Sequence, residues 1–161
     1  MSDSLDVRLL ALARSAGHTR ASEAAVRRFS ALGEHGALWI AGALAGAALD
    51  PGRRLRWTRA AKGVAAAYVL NTAIKQVVRR RRPDLPELPQ LTRAPTQLSF
   101  PSAHAATSFA GARALSALLP GAPLYALAAG LAASRVWLGM HYPSDIAAGA
   151  LLGLAVGSAA R

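Results

Sequence analysis

Long apolar stretches, separated by short polar or basic loops, make up most of the chain after residue 35. Their approximate bounds are 36–49, 63–78, 103–119, 123–139 and 146–160. Each is shorter than the roughly 20 apolar residues that usually cross a bilayer. They show little polar face, however, and no strand-like alternation. The pattern therefore predicts an all-α fold, an integral-membrane helical bundle of about five transmembrane helices.

The first 31 residues have a different pattern. Leu5, Leu9 and Leu12 recur at helical spacing with arginines between them, which predicts an amphipathic N-terminal helix over 1–31. Such a helix either lies on a membrane surface or docks on its neighbours as a solvated helix, and the pattern leaves both open. A chain of 161 residues has room for one domain, so we predict a single membrane domain over 1–161.

The charge of the chain narrows the choice of partner. The formal net charge is +11 and cysteine is absent, so disulfide and thiolate chemistry are excluded and an acidic partner is expected. Nucleic acid is the weaker interpretation, because basic residues flank both ends of the apolar stretches and aromatic residues do not interleave with them. A phosphorylated lipid fits a multi-pass protein of the cell membrane better. The oligomeric state cannot be read from the sequence.

Polar residues cluster where the apolar stretches end. If the chain crosses the membrane at each stretch, then the end of the second, the start of the third, the end of the fourth and the start of the fifth lie on one face. That parity predicts that seven polar residues converge: Lys75, Arg82, Ser102, His104, Arg135, His141 and Asp145.

These residue types suit phosphate chemistry. Arginine and lysine pair with phosphate oxygens, and unpaired amides at the start of a helix, here Ser102 to His104, add further donors. A neutral histidine can attack phosphorus if a carboxylate holds its other ring nitrogen, and His141 and Asp145 are about one helical turn apart. The second histidine, His104, can protonate the leaving oxygen. Cations would also stabilise the charge of a phosphoryl transition state.

Three elements in this region resemble the motifs of the type 2 phosphatidic acid phosphatase superfamily. Lys75 to Pro83 matches the element K-x6-R-P, Pro101 to His104 resembles P-S-G-H, and Ser134 to Asp145 matches S-R-x5-H-x3-D. The resemblance implies a membrane lipid phosphatase in which His141 forms a phosphohistidine and Asp145 orients it. It also implies that His104 acts as general acid and then as base for water. The implied phosphate-binding residues are Lys75, Arg82, Ser102, Ala103 and Arg135.

The sequence departs from the superfamily pattern in two places. Ala103 stands where glycine is usual; its amide is kept, so the phosphate contact is expected unless the position requires a positive φ. The usual arrangement also has one more helix before the first motif, and the N-terminal helix is expected to take its place. The superfamily often works on the extracytoplasmic side, whereas the distribution of arginines favours a cytoplasmic site, and both stay open.

No metal or other cofactor is expected, because the motif residues are mostly cations and include only one acid, Asp145. A catalytically silent lipid-binding protein is the alternative to an enzyme. Loss of His104 or His141 would have indicated it, and both are present. His18 and His35 lie outside every motif, so we assign them no role.

Arg79, Arg80 and Arg81 exceed what one terminal phosphate needs. They are either membrane anchors or contacts to a second anionic group, in which case at least one faces the same side as Arg82 if the helix continues that far. Substrates with such a group include polyprenyl-phosphate-linked sugar phosphates, undecaprenyl diphosphate and phosphatidylglycerol phosphate. The form F-P-S-A-H at Phe100 to His104 resembles that of superfamily members acting on polyprenyl-linked phosphoribose. Decaprenylphosphoryl-5-phosphoribose is therefore the expected substrate.

Overall fold

The computed structural model describes residues 4–94 and 96–161. Its helices, named in chain order, are α1 (Leu5–Arg14), α2 (Arg20–Ala31), α3 (Ala37–Leu49), α4 (Arg54–Val78), α5 (Ala103–Leu115), α6 (Gly121–Trp137) and α7 (Pro143–Ala159). Two 3₁₀ turns, Glu34–Gly36 and Pro51–Arg53, precede α3 and α4. One isolated antiparallel bridge, between Arg81 and Leu98, is the only β-pairing in the described residues. The all-α prediction is confirmed.

The N-terminal region forms two helices, so the prediction of one helix over 1–31 is wrong; residues 1–3 lie outside the described residues. The chain turns at Gly17, whose φ is +79°. Thr19 then starts α2 with a capping box: its hydroxyl accepts the Ser22 amide at 3.1 Å, and the Ser22 hydroxyl accepts the Thr19 amide at 2.8 Å. The spacing of apolar residues alone does not reveal that one helix ends at Arg14 and a second begins at Arg20.

Both N-terminal helices dock on the bundle, with α1 against α6 and α7 and α2 against α6. The buried side chain of Arg14 anchors α1 by donating to the backbone oxygens of Trp137 at 3.1 Å and Pro89 at 2.9 Å. Both helices are therefore held on the bundle by contacts with neighbouring helices.

α5 is the central helix and packs against α4, α6 and α7. α7 presents Gly149, Gly153 and Gly157 to α5, and a Cβ at Gly157 would lie 2.6 Å from the Ala110 oxygen. Small residues at this spacing allow two helix backbones to approach closely. The close approach sets the starts of α5 and α7 side by side. There the Ser102 amide donates to the backbone oxygen of Asp145 at 2.9 Å.

α4 begins at Arg54, earlier than the predicted start near residue 63. The extra turns contain arginines, and tertiary contacts explain why they are helical. Trp57 is buried against Gly46 of α3, and its indole donates to the Asp50 carboxylate at 3.1 Å. Across residues 4–94 and 96–161, every helix falls short of the combined length and apolarity that a membrane span requires.

Candidate active site

A cavity of about 360 Å³ lies between the end of α4, the start of α5, the end of α6 and the loop before α7. Six residues predicted from the sequence line it: Lys75, Arg82, Ala103, His104, Arg135 and His141. Ser102, Asp145 and the three arginines Arg79 to Arg81 are not among its lining residues.

His141 has a defined protonation pattern. Its Nε2 lies 3.0 Å from Nη1 of Arg82, and because a guanidinium only donates, Nε2 must carry a lone pair. Its Nδ1 lies 3.4 Å from Oδ2 of Asp145, close to the carboxylate but outside hydrogen-bond geometry. Burial lowers the pKa of His141 to about 3; Asp145 opposes this shift and Arg82 reinforces it. The ring is therefore neutral, with its lone pair on the side of Arg82.

Asp145 lies behind His141 and is fully buried in the first turn of α7. Its Oδ2 also accepts the Tyr142 amide at 2.9 Å, and its Oδ1 accepts from Nη1 of Arg80 at 2.8 Å. These bonds hold both carboxylate oxygens in place. The carboxylate can therefore fix the orientation of the imidazole of His141.

Arg80 is engaged away from the cavity. Its Nη2 donates to Oδ2 of Asp6 at 2.8 Å, its Nη1 donates to Asp145, and its guanidinium stacks 4.1 Å above the Tyr142 ring. Burial alone would raise the pKa of Asp6, but hydrogen bonds from Ser144 and Arg80 outweigh it and lower the pKa. Arg80 thus joins α1 to the carboxylate behind His141, and the hydrogen bonds of both its Nη atoms are made within the protein.

α4 ends at Val78, as the apolar pattern predicts, so helical spacing does not place Arg79, Arg80 or Arg81 on the same side as Arg82. The helix ends at Val78 because Arg79 adopts a left-handed conformation, with φ +53°, while its amide donates to the Lys75 oxygen at 3.0 Å. The following residues are extended, so side chains alternate: Arg80 and Arg82 turn inward and Arg81 turns outward. The outward guanidinium groups of Arg79 and Arg81 line a separate surface pocket of about 420 Å³.

Lys75 and Arg82, two of the cations that line the cavity, are held in place by backbone oxygens. Nζ of Lys75 donates to the oxygens of Ser99 at 2.9 Å and Leu98 at 3.2 Å. Nε of Arg82 donates to the Thr96 oxygen at 2.8 Å. Burial lowers the pKa of Arg82 to about 10, which leaves it charged at neutral pH. The loop before α5 therefore sets the positions of two positive charges in the cavity.

Ser30 at the end of α2 holds two other residues of the cavity wall, His104 and Arg135. Ser30 accepts from Nη1 of Arg135 through its hydroxyl at 2.8 Å and from Nε2 of His104 through its backbone oxygen at 3.1 Å. A Cβ at Gly33 would lie 2.8 Å from the His104 ring, so glycine is required for this approach. Nε of Arg135 is buried and has no partner in the described residues, which leaves a donor available to an anion.

Ser102 is fully buried and serves as the N-cap of α5, with its hydroxyl accepting the Ala105 amide at 3.5 Å. Ala103 follows in the first helical turn. Among described residues other than glycine, positive φ occurs only at His35 and Arg79. The position of Ala103 therefore does not require glycine, and its amide is kept at the cavity wall.

Sequence reasoning missed part of the cavity wall. Asn71, Tyr68, Glu34 and His35 also line it. Asn71 precedes Lys75 by four residues, so helical spacing could have placed both on one face. Glu34 and His35 carry no comparable signal, because only the packing of the 3₁₀ turn brings them to the mouth of the cavity.

The PAP2 superfamily model matches residues 56–161, and the chain belongs to this superfamily of type 2 phosphatidic acid phosphatases. The family predicted from the three motifs is confirmed. A decaprenylphosphoryl-5-phosphoribose phosphatase of Mycobacterium tuberculosis is 45% identical over 136 residues, which cover 84% of this chain and 76% of that protein. A protein of the same name from Mycolicibacterium smegmatis is 44% identical over 124 residues, covering 76% and 68%.

Two solved structures share the fold. LpxE of Aquifex aeolicus matches with a TM-score of 0.83 and 24% identity, covering 98% of this chain and 94% of that one. A phosphatidylglycerolphosphate phosphatase of Bacillus subtilis, described as a transmembrane PAP2 type enzyme, matches with a TM-score of 0.79 and 22% identity, covering 96% and 82%. At these identities the likeness concerns the fold alone.

Proposed function

We propose that this chain is a lipid phosphatase that removes the terminal phosphate of decaprenylphosphoryl-5-phosphoribose through a phosphohistidine on His141. The observation that carries the proposal is the state of His141, a neutral imidazole with its lone pair on Nε2 at a cavity lined by Lys75, Arg82 and Arg135. The name of the relatives at 44–45% identity supports the substrate.

In the first step, Nε2 of His141 attacks phosphorus and the bond from phosphorus to the ester oxygen breaks. Arg82, which donates to Nε2 in the free enzyme, transfers that hydrogen bond to a phosphate oxygen. Nε of Arg135 and the amide of Ala103 supply further donors. Asp145 stabilises the positive charge that forms on the ring through Nδ1–H.

His104 provides and then recovers one proton. Its Nε2 donates to the backbone oxygen of Ser30, so the exchangeable proton of the acid form is on Nδ1. That proton goes to the leaving oxygen and releases the alcohol. Neutral Nδ1 then takes a proton from water as the water attacks phosphorus, the bond from phosphorus to His141 breaks, and inorganic phosphate leaves.

We further propose that the bundle of α3 to α7 is embedded in the cell membrane as a multi-pass unit. Large apolar side chains lie exposed on its outside, among them Leu44, Leu49, Val69, Leu70, Val77 and Leu151. Exposed large apolar side chains on several helices are suited to contact with lipid. Alkaline carbonate should leave the protein in the membrane pellet and detergent should release it; recovery in the carbonate supernatant would contradict embedding.

The substrate proposal predicts higher kcat/KM on decaprenylphosphoryl-5-phosphoribose than on phosphatidic acid. We also predict that the exposed Arg79 and Arg81 contact a second anionic group of the substrate. At least one of Arg79→Gln and Arg81→Gln should lose about two- to fivefold efficiency on the ribose lipid, the scale of an exposed ion pair, and less on phosphatidic acid. Arg80→Gln is the control, because it disturbs Asp145 and should slow both substrates equally.

Phosphate release in micelles, measured for each lipid separately, gives these ratios. Equal small losses at Arg79 and Arg81 on both lipids would make these arginines anchors only. Preferential hydrolysis of undecaprenyl diphosphate or phosphatidylglycerol phosphate by the wild type would replace the proposed substrate.

Catalysis is expected to be independent of metal. Lys75, Arg82 and Arg135 already supply positive charge at the cavity, and within residues 4–94 and 96–161 no three His, Asp or Glu side chains gather as ligands. Activity should survive chelators, and vanadate should inhibit by mimicking five-coordinate phosphorus. Recovery of a chelated, inactive enzyme on addition of magnesium would overturn this prediction.

A further inference from the structure

The cavity is larger than the phosphate that it is proposed to bind. Its volume of about 360 Å³ lies in the range of pockets that enclose a whole small molecule, roughly 300–1,000 Å³. Its cationic residues account for one part of the wall. The rest of the wall must therefore meet another part of the substrate.

That other part of the wall has a different chemistry. One face of α4 contributes Tyr68, Asn71 and Gln76, and the 3₁₀ turn contributes Glu34 and His35. These side chains include carboxylate and amide oxygens, which only accept hydrogen bonds. A phosphate dianion also only accepts, so such oxygens do not suit it. They suit a ligand that carries hydroxyl groups.

Asn71 supplies an acceptor that has no donor. The side chain is fully buried, and its Nδ2 donates to the Pro101 oxygen at 3.0 Å, which fixes the orientation of the amide. Its Oδ1 is left buried without a hydrogen-bond partner in the described part of the chain. Buried polar atoms in folded proteins are nearly always paired, so this oxygen lacks a donor that a molecule bound in the cavity can supply.

Glu34 is held at the mouth of the cavity by an unusual turn. His35 has φ +54°, and Gly36 has φ +71° with no room for a Cβ, which would lie 2.7 Å from Val64. Strained conformations of this kind persist where the surrounding packing enforces them, and they are concentrated at functional sites. The Glu34 carboxylate forms no ion pair within the described residues, although cations line the same cavity.

The aromatic rings beside Glu34 complete the mouth. His35 contacts Tyr68 edge to face, with ring centroids 5.5 Å apart and an interplanar angle of 62°. Apolar ring surface next to carboxylate and amide oxygens can cover the C–H face of a sugar while the oxygens accept from its hydroxyls.

We propose that Glu34, Asn71 and Tyr68 form a sugar subsite, which binds the hydroxyl-bearing ring that carries the scissile phosphate. In this subsite Oδ1 of Asn71 and the carboxylate of Glu34 accept from ring hydroxyls, and Tyr68 covers the ring. The proposal rests on the proposed phosphatase activity and adds the residues that select a furanose phosphate over an alkyl phosphate.

The test uses two lipids that differ only in the linker. One is decaprenylphosphoryl-5-phosphoribose, and the other replaces the ribose with a five-carbon alkyl spacer that ends in the same phosphate monoester. The wild type should hydrolyse the ribose lipid with kcat/KM about tenfold or more above the spacer lipid, because the spacer leaves Oδ1 of Asn71 unpaired. Glu34→Gln and Asn71→Ala should each lower that ratio about tenfold.

Glu87→Gln is the matched control, because it removes the same charge from an exposed carboxylate outside the cavity. Glu34 is also exposed, so Glu34→Gln tests the subsite even if Asn71→Ala fails to fold. Equal hydrolysis of both lipids by the wild type, or equal losses on both in the Glu34 variant, would overturn the subsite and leave the phosphatase intact. Failure of the wild type to hydrolyse either lipid would overturn the proposed function and the subsite with it.

Discussion

Replacing His141 with alanine is expected to lower kcat on the lipid phosphate by about 10⁴-fold or more, because the variant lacks the nucleophile and the remaining groups only bind phosphate. KM should change far less, since Lys75, Arg82 and Arg135 stay in the cavity. Acid-quenched reactions with phosphorus-labelled lipid should yield no labelled protein from this variant.

The control for this variant is His18→Gln. His18 is stacked on Trp137, with ring centroids 3.9 Å apart, and does not line the cavity. The control should keep kcat while thermal unfolding shows that both variants are folded. A His141→Ala enzyme that still turns over at a rate near that of the wild type would remove His141 from the role of nucleophile.

Replacing His104 with alanine is expected to lower kcat by about 10²- to 10⁴-fold, the usual contribution of a general acid–base group. The nucleophile is still present, so this variant can form the phosphohistidine from a substrate with an acidic leaving group, such as p-nitrophenyl phosphate. It then lacks the base that activates water. We therefore expect a burst of p-nitrophenol and accumulation of acid-labile phosphoprotein.

The two histidine variants are distinguishable by this burst. His104→Ala should give a burst close to one equivalent of enzyme, while His141→Ala should give none. Absence of a burst in the His104 variant, together with equal rate losses on the lipid and on p-nitrophenyl phosphate, would assign His104 a structural role at the contact with Ser30 and Gly33.

Much of the candidate site could be predicted from short-range sequence features. His141 immediately precedes α7 and Asp145 lies in its first turn, so their short separation in sequence keeps them close, and the parity of the apolar stretches placed Lys75, His104 and Arg135 at one end of the bundle. These predictions rest on helical periodicity and on the direction of successive helices. Both are determined by the sequence over one or a few turns.

The roles of consecutive identical residues could be distinguished only from the backbone conformation. Arg79 to Arg82 are four consecutive arginines, and nothing in the sequence separates their roles. A left-handed residue at Arg79 ends α4, and the extended segment that follows sends Arg82 to the cavity and Arg80 to Asp145. The positive φ of Arg79 therefore determines which of the four guanidinium groups lines the cavity.

The sequence by itself determined the all-α fold, the superfamily and the chemical groups that meet phosphate, because each depends on local pattern or on a short motif. The tertiary structure decided which distant groups support them. Asp6 reaches Arg80, Ser30 supports His104 and Arg135, and Glu34 lies at the cavity mouth. These contacts join segments far apart in the chain, and they depend on how closely the helices pack, which no local periodicity encodes.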